Sequence, residues 1–340
     1  NLGYSRDEFE KVTLLDIFGD LDRESFDNLL LPMRNGNWRP VVHKGTNTRK
    51  DGSKFPVEAS IQLSTEDAPP IVVVNVQDIT DRVKWEEKLI YQANYDQLTG
   101  LYNRHYIQSY MNLAFSRAAR YKKKVALLYF DLDHFKDIND SLGHDTGDLV
   151  LQESANRIST LLRESDTAAR TGGDEFTIFL ENLEESQHAG MVASRIVKIL
   201  QKPFQLKGHE IYATVSVGIS IFPDDGSSSD EIMQCADMAM YQAKKDGRNM
   251  YRYFSKEMRH ISEQQVQITS HLRYAISKDE LSLVYQPKID SASNRIVGAE
   301  ALLRWKNCEL GKVPPNVFIP LAENLGIIKE FGDWVLEHAC

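Results

Sequence analysis

The chain has 340 residues, 42% of them hydrophobic, with 40 Lys+Arg against 49 Asp+Glu and a formal charge of −9. At ~150 residues per domain, that length implies two to three domains, and the composition excludes a disordered, collagen-like or disulfide-scaffold protein. No apolar run approaches the ~18 residues that span a bilayer, and the acidic balance argues against a nucleic-acid binder, whose affinity comes from clustered Lys and Arg. Lys122-Lys123-Lys124 reads as a solvated turn. Cys235, Cys308 and Cys340 are widely spaced and odd in number, so they give neither a disulfide framework nor a zinc spacing. They fit a reducing, cytoplasmic compartment. No signal peptide follows Asn1, and Phe331–Ala339 reads as an amphipathic helix in progress. Both ends therefore look cut, and any membrane attachment upstream of Asn1 is not visible.

Residues 1–81 read as short strands and turns. Asp51-Gly52 is a hairpin signal between Val41–Thr48 and Phe55–Leu63, with Pro56 tolerated near a strand start or edge. Ile71–Val76 is a β-branched run, which predicts a buried strand. The order Leu2-Gly-Tyr-Ser-Arg-Asp-Glu-Phe9, Arg49-Lys-Asp-Gly-Ser-Lys-Phe-Pro-Val-Glu58 and Asp78-Ile-Thr-Asp81 resembles the later part of a PAS sensor domain, whose opening strands would precede Asn1. The resemblance implies an antiparallel sheet and a regulatory role. No Cys or His setting names a cofactor, so the ligand of this region is unknown.

Residues 82–95 follow as a linker helix. Ile79, Val83, Leu89-Ile90 and Ala93 recur at three- and four-residue steps with charge opposite. The pattern suits a plain connector or a short coiled coil joining two protomers.

Residues 96–255 alternate helix and strand, which predicts an α/β (α+β) domain with a central sheet flanked by helices. Val125–Phe130 is a strand, Gly147–Leu162 a helix, and Thr167–Arg170 and Phe176–Leu180 a hairpin about Gly172-Gly173. Met191–Gln201 is a helix, Ile211–Phe222 a further strand, and Ser229–Lys245 a third helix. Asp131 and Asp133 fall where the first strand ends, and ligands bind at the carboxyl ends of such strands. Asp174-Glu175 follows the Gly-Gly turn. If that hairpin lies beside the Val125 strand, Asp174 and Asp131 converge. Two carboxylates so placed must bind a proton or share a cation, and oxygen ligands around a phosphate substrate favour Mg²⁺ or Mn²⁺. Asp133 taken alone reads first as the N-cap of a helix begun by His134.

Five ordered motifs then align this domain with a known family. They are Asp96-Gln-Leu-Thr-Gly-Leu-Tyr-Asn-Arg104, the run from Phe130 to Asp148, Arg170-Thr-Gly-Gly-Asp-Glu-Phe176, Val215-Ser-Val-Gly-Ile-Ser220, and Ala236–Asn249. Together they closely resemble the GGDEF diguanylate cyclases. The resemblance implies that Asp131, the Leu132 carbonyl and Asp174 hold Mg²⁺ (or Mn²⁺). It makes Asp174 the group that helps deprotonate the attacking 3′-hydroxyl, with Glu175 supporting the same cluster. Asn139 and Asp148 fall at the guanine-binding positions, where a carboxylate accepts from N1–H and N2–H₂. For Asp148 in isolation, capping a helix that starts near Gly147 stays open. Lys136, Lys244 and Arg248 fall at triphosphate contacts, the last two read as four apart at a helix end. The implied reaction joins two GTP into cyclic di-GMP and two pyrophosphates. Each domain holds one GTP, so a homodimer is implied. Arg163-Glu-Ser-Asp166 has the form and register of the family's product-inhibition site.

Residues 266–340 resemble the start of an EAL phosphodiesterase, a (β/α) barrel. The matching runs are Leu283–Asp290, Val297–Trp305 and Val313–Glu323. Glu300 falls at a metal-binding position, and Gln286 and Arg304 at cyclic-dinucleotide contacts. One carboxylate cannot hold a two-metal site, so no phosphodiesterase activity is expected from these 340 residues. The leading expectation is a PAS-regulated, product-inhibited diguanylate cyclase. The alternative is a GTP-binding regulatory module that tunes an EAL phosphodiesterase in a longer protein.

Overall fold

The structure, a computed structural model, describes residues 2–34, 39–64 and 71–339; Asn1 and Cys340 lie outside them. The chain divides into two compact units, Asn1–Gln97 and Leu98–Cys340.

The first unit runs α1 (Arg6–Phe9), α2 (Leu14–Ile17), α3 (Arg23–Arg34), β1 (Val41–Thr48), β2 (Lys54–Ser64), β3 (Ile71–Asp78) and α4 (Thr80–Asn94). Its strands form an antiparallel sheet in the order β1-β2-β3. The Asp-Gly hairpin forms as its sequence dictates: Arg49 N–H donates to the Ser53 carbonyl at 2.8 Å, and Gly52 takes φ +82°, which a glycine adopts without a Cβ penalty. Phe55, Val57, Ala59 and Ile61 alternate inward along β2 and are buried. The expectation of a buried strand at Ile71–Val76 is corrected. In β3 the side chains of Ile71, Val73 and Val76 are exposed, while Val72 and Val74 pack on the core. A three-stranded sheet covered on one face buries alternate residues only, whatever their β-propensity; Val76, on the face of Val72 and Val74, opens instead on a cavity that all three line. This cavity of about 630 Å³ lies beside the core and is lined among others by Phe9, Ile17, Phe18, Asn47 and Asp78. No residue of α4 is buried, and Trp85, Leu89 and Ile90 stand in the open.

The second unit continues with β4 (Tyr102–Asn103), α5 (Arg104–Tyr121), β5 (Lys124–Asp133), α6 (Phe135–Leu142), α7 (His144–Ser159), β6 (Thr167–Gly172), β7 (Glu175–Leu183) and α8 (Gln187–Leu200). A small β8 (Phe204–Leu206) and β9 (His209–Ile211) hairpin precedes β10 (Thr214–Phe222), α9 (Ser229–Lys245) and β11 (Tyr251–Tyr253). Six strands form one mixed sheet in the order β11-β10-β5-β7-β6-β4. On one face, Ala126, Leu128, Phe130 and Leu132 of β5 share a core with Val150 and Ile158 of α7 and with Ala193 and Ile196 of α8. On the other, Val125, Leu127 and Tyr129 share a core with Ile107, Met111 and Phe115 of α5 and with Ile232, Ala236 and Met240 of α9. Coverage on both faces explains why Val125–Phe130 is apolar without alternation. Several boundaries differ from expectation, and the helix expected over Met191–Gln201 begins four residues earlier, at Gln187. The helix expected from Gly147 starts at His144, and the strand expected over Ile211–Phe222 is broken, with Ile211 ending β9 and Thr214 opening β10.

The remainder comprises α10 (Lys256–Leu272), β12 (Leu281–Asp290), β13 (Arg295–Asn307), β14 (Gly311–Val313), α11 (Pro315–Asn324) and α12 (Ile328–Ala339). Its three strands pair antiparallel, and Leu272, Leu281, Trp305, Phe318 and Phe331 form a separate core. Cys235 is buried and Cys308 exposed, both free. Among the described residues, no helix is long and apolar enough to cross a membrane.

Candidate active site

Sheet register assembles the site. β5 and β7 run antiparallel with Asp131 opposite Glu175, so the last turn of one strand meets the first of the other. The Gly172-Gly173 turn brings Asp174 to the same place, and Leu132 N–H donates to the Asp174 carbonyl at 3.3 Å. Arg170 fixes the turn, donating from Nε and Nη2 to the Gly173 carbonyl at 2.9 and 2.7 Å. The expected convergence of Asp131 with Asp174-Glu175 is thus present.

Asp131 is 8% exposed and pairs with Lys244 of α9. Its Oδ2 takes the ammonium, and its Oδ1 is buried with no hydrogen-bond partner. Burial pushes the carboxyl up; Lys244 opposes that shift, and the charges of Asp174 and Asp133 add to it. Asp133 is not a helix cap. Its carboxylate accepts from Thr214 Oγ1 and Ser216 Oγ, both at 2.7 Å, and from the Asn249 N–H at 3.3 Å. The N-cap position belongs to His134, which makes no side-chain cap and holds φ +59°. Partners on β10, distant in sequence, override the local capping pattern.

The donor set fits a hard divalent cation. Asp131, the Leu132 carbonyl and Asp174 are oxygen donors, and the partnerless Oδ1 of Asp131 is a buried acceptor with an unmet need. Among the described residues no three His, Cys, Asp or Glu side chains group as a metal site. Mg²⁺ takes one or two carboxylates and completes its shell with water and substrate phosphate.

Asn139 and Asp148 come from adjoining helices. A Cβ on Gly147 would lie 1.9 Å from Asn139 Oδ1 and 3.2 Å from the Phe135 ring, so a larger residue there would push the Asn139 amide aside. Asn139 is half-buried, and Asp148 is exposed one residue beyond the contact. The capping reading of Asp148 is corrected: α7 begins at His144 after Gly143, which leaves Asp148 inside the helix. Lys136 is exposed in the first turn of α6. Lys244 lies in the last turn of α9, but Arg248 lies beyond the helix, at φ +62°, correcting the expected four-residue helical spacing. Its Nε stands 4.0 Å from Asp133 Oδ1.

Two residues were missed from the sequence. The Tyr129 hydroxyl is driven well above the ordinary phenol range by burial, then by its hydrogen bond to Glu175. Burial likewise raises the carboxyl of Asp237, as does the charge of Glu175, while Lys244 opposes the shift. The available signals were spacing: Tyr129 shares the β5 face of Asp131, and Asp237 lies two turns before Lys244 on α9.

Arg163 and Asp166 close a turn on themselves, with Arg163 N–H donating to Asp166 Oδ2 at 3.0 Å. Both line a cleft of about 570 Å³ with Glu181, His188 and Arg195. In the last segment Gln286 pairs with Glu300 and Ser282 with Arg304 across β12 and β13, which sets Gln286, Glu300 and Arg304 on one face. Lys288 stands 3.6 Å from Glu300.

Comparison with known proteins follows the same division. Residues 93–250 match the family model "Diguanylate cyclase, GGDEF domain", and residues 269–340 match "EAL domain". An uncharacterized signaling protein of Caulobacter vibrioides is 38% identical over 312 residues, 90% of this chain and 38% of that protein. The bifunctional diguanylate cyclase/cyclic di-GMP phosphodiesterase MucR of Pseudomonas aeruginosa is 41% identical over 261 residues, 77% of this chain and 38% of MucR. The chain thus spans under two fifths of each of these relatives. Among solved structures, the GGDEF domain of TpbB from Pseudomonas aeruginosa is 36% identical, with a TM-score of 0.49, over 50% of this chain and 99% of that one.

Proposed function

The chain belongs to the GGDEF–EAL proteins, and from that premise we propose that its GGDEF domain joins two GTP molecules into cyclic di-GMP. The observation that supports this most is the convergence of Asp131, Asp174 and Glu175 at the β5–β7 end, with Lys244 beside them. In each half-reaction a 3′-hydroxyl oxygen bonds to the α-phosphorus of the other GTP. The bond from that phosphorus to the bridging oxygen breaks, and pyrophosphate leaves with its electron pair. Asp174 takes the hydroxyl proton. Asn139 and Asp148 hold the guanine edge, and Lys136, Lys244 and Arg248 neutralise the triphosphate. Asp131, the Leu132 carbonyl and Asp174 would hold Mg²⁺ or Mn²⁺, supported by Glu175. Bound there, the cation supplies charge neutralisation on the phosphates and acidifies the hydroxyl.

One GTP per domain requires two copies face to face, and the exposed Trp85, Leu89 and Ile90 of α4 offer an apolar strip for pairing protomers. Residues 1–81 act as a PAS-type regulatory region, and Arg163 with Asp166 binds product as an inhibitor. The test is incubation of the 340-residue chain with GTP and Mg²⁺, followed by chromatography for cyclic di-GMP. Product is expected from the wild type and at least about a hundredfold less from Asp174→Ala. Arg163→Ala progress curves should stay linear longer; curves that superimpose on wild type would sink the inhibition site.

The placement of Gln286, Glu300 and Arg304 on one sheet face favours a second reading. Here the GGDEF domain binds GTP and tunes an EAL phosphodiesterase, the pairing of activities that MucR carries in its name. A dimer that binds GTP yet forms no product would select it. This chain alone is expected to leave cyclic di-GMP unhydrolysed.

A further inference from the structure

We propose that Lys244 is a resident counter-ion that competes with the divalent cation for Asp131, so that metal and triphosphate enter this site cooperatively. The proposal rests on the reading of Asp131 as a metal ligand. Asp131 is nearly buried, with Asp174 and Asp133 as negative neighbours. A carboxylate in that setting needs a cation, and the structure supplies one from the protein itself.

The supply is built into the fold. On β10, Ser216 lies opposite Asp131 and Gly218 opposite Tyr129. A Cβ on Gly218 would lie 1.9 Å from the Ala236 carbonyl oxygen and 2.3 Å from the Met240 nitrogen. Glycine therefore lets α9 lie directly on the sheet, and the last turn of α9 carries Lys244 to the end of β5. A helix C-terminus favours a cation there. Asp133 needs no such help, because Thr214, Ser216 and the Asn249 N–H already satisfy it.

A divalent cation arriving alone at the free Oδ1 of Asp131 shares that carboxylate with the Lys244 ammonium on Oδ2 and repels it, leaving the lysine without an anion of its own. A triphosphate arriving with the metal offers that anion, and the flexible lysine stem lets Nζ turn from carboxylate to phosphate. Metal and nucleotide thereby strengthen each other's binding, by the same factor in both directions.

The test is Mn²⁺ binding to the full chain without nucleotide, read as free Mn²⁺ by electron paramagnetic resonance. Lys244→Met removes the charge and offers no oxygen ligand; Lys244→Gln removes it and keeps a polar end. Both should bind Mn²⁺ roughly tenfold more tightly than wild type, within the ~5–150-fold range of typical site coupling. 3′-Deoxy-GTP, which lacks the attacking hydroxyl, should tighten Mn²⁺ binding in wild type and much less in either variant. Asp131→Asn separates the two ideas. If it binds Mn²⁺ like wild type, the metal reading fails. If it loses Mn²⁺ while both Lys244 variants bind no more tightly than wild type, the counter-ion inference fails and the metal reading stands.

Discussion

Two sheets of the second unit place acidic side chains by the same device and surround them differently. Across β5 and β7, Asp131 faces Glu175; across β12 and β13, Gln286 faces Glu300. The first pair ends a sheet covered on both faces by helices, where burial pushes the Asp131 carboxyl up and leaves one oxygen unmet. The second lies on an exposed stretch, with Glu300 near Lys288 and both side chains more than half exposed at 55% and 63%. Such a pair is worth ~0–1 kcal/mol. Register sets Asp131 beside the acid Glu175 in one sheet and Glu300 beside the neutral Gln286 in the other. Only the covering layers turn that proximity into a stored demand for a cation.

The largest effect that tests this contrast is on turnover. Asp174→Ala should lower cyclic di-GMP synthesis by about 10²–10⁴-fold, the usual weight of a positioned acid–base group. Glu300→Ala should leave synthesis unchanged under the same chromatographic assay. An equal loss in both variants would break the contrast, because the exposed sheet would then be contributing to the cyclase chemistry.

A pair of glycines sharpens it at the level of stability. Gly218→Ala forces a Cβ into α9 backbone at 1.9 Å, whereas a Cβ on Gly298 in β13 meets nothing within 4 Å. Gly218→Ala should cost ~1–3 kcal/mol or more as α9 is pushed from the sheet, and should weaken GTP binding because Lys244 moves with the helix. Gly298→Ala should stay within about 0.5 kcal/mol. Urea melts of the two variants measure both, and equal costs would mean that α9 is not seated as described.

The same contrast shows what a sequence can disclose. The apolar run Val125–Phe130 and the Gly-Gly turn announce the strand pair, and period and length announce α9 to the residue. Asp133 reads as a cap because the capping pattern is local, while its actual partners Thr214 and Ser216 lie 81 and 83 residues away. The Lys244–Asp131 pair spans 113 residues and leaves no trace in spacing. Ile71–Val76 has the composition of a buried strand, but four of its six residues are exposed, since burial depends on how many layers cover a sheet. Tyr129 looks like one more core aromatic until the register sets it on the face of Asp131 and diagonal to Glu175. Position along the chain is legible; what covers a position is not.

The smallest predicted effect isolates burial from every other cause. Asp131 binds its proton more tightly in the folded chain than in the unfolded one, with burial as the leading reason. As pH rises from below the unfolded carboxylate value, near 3.9, the unfolded chain releases that proton first. The folded chain then holds more protons, and stability declines with pH until the folded group has also titrated. Asp131→Asn removes the titration. Its thermal midpoint relative to wild type should therefore climb from pH 3 towards pH 7 and level off, by about 2–4 °C if the relief is ~1 kcal/mol. Lys244 loses its partner in this variant, but its side chain is 28% exposed and can turn into water, so the loss is small. Calorimetric scans at several pH values decide the matter. A difference that stays flat or shrinks towards neutral pH would mean that the Lys244 pairing fully offsets burial, and that the β5 site is electrostatically no more demanding than the open face of β13.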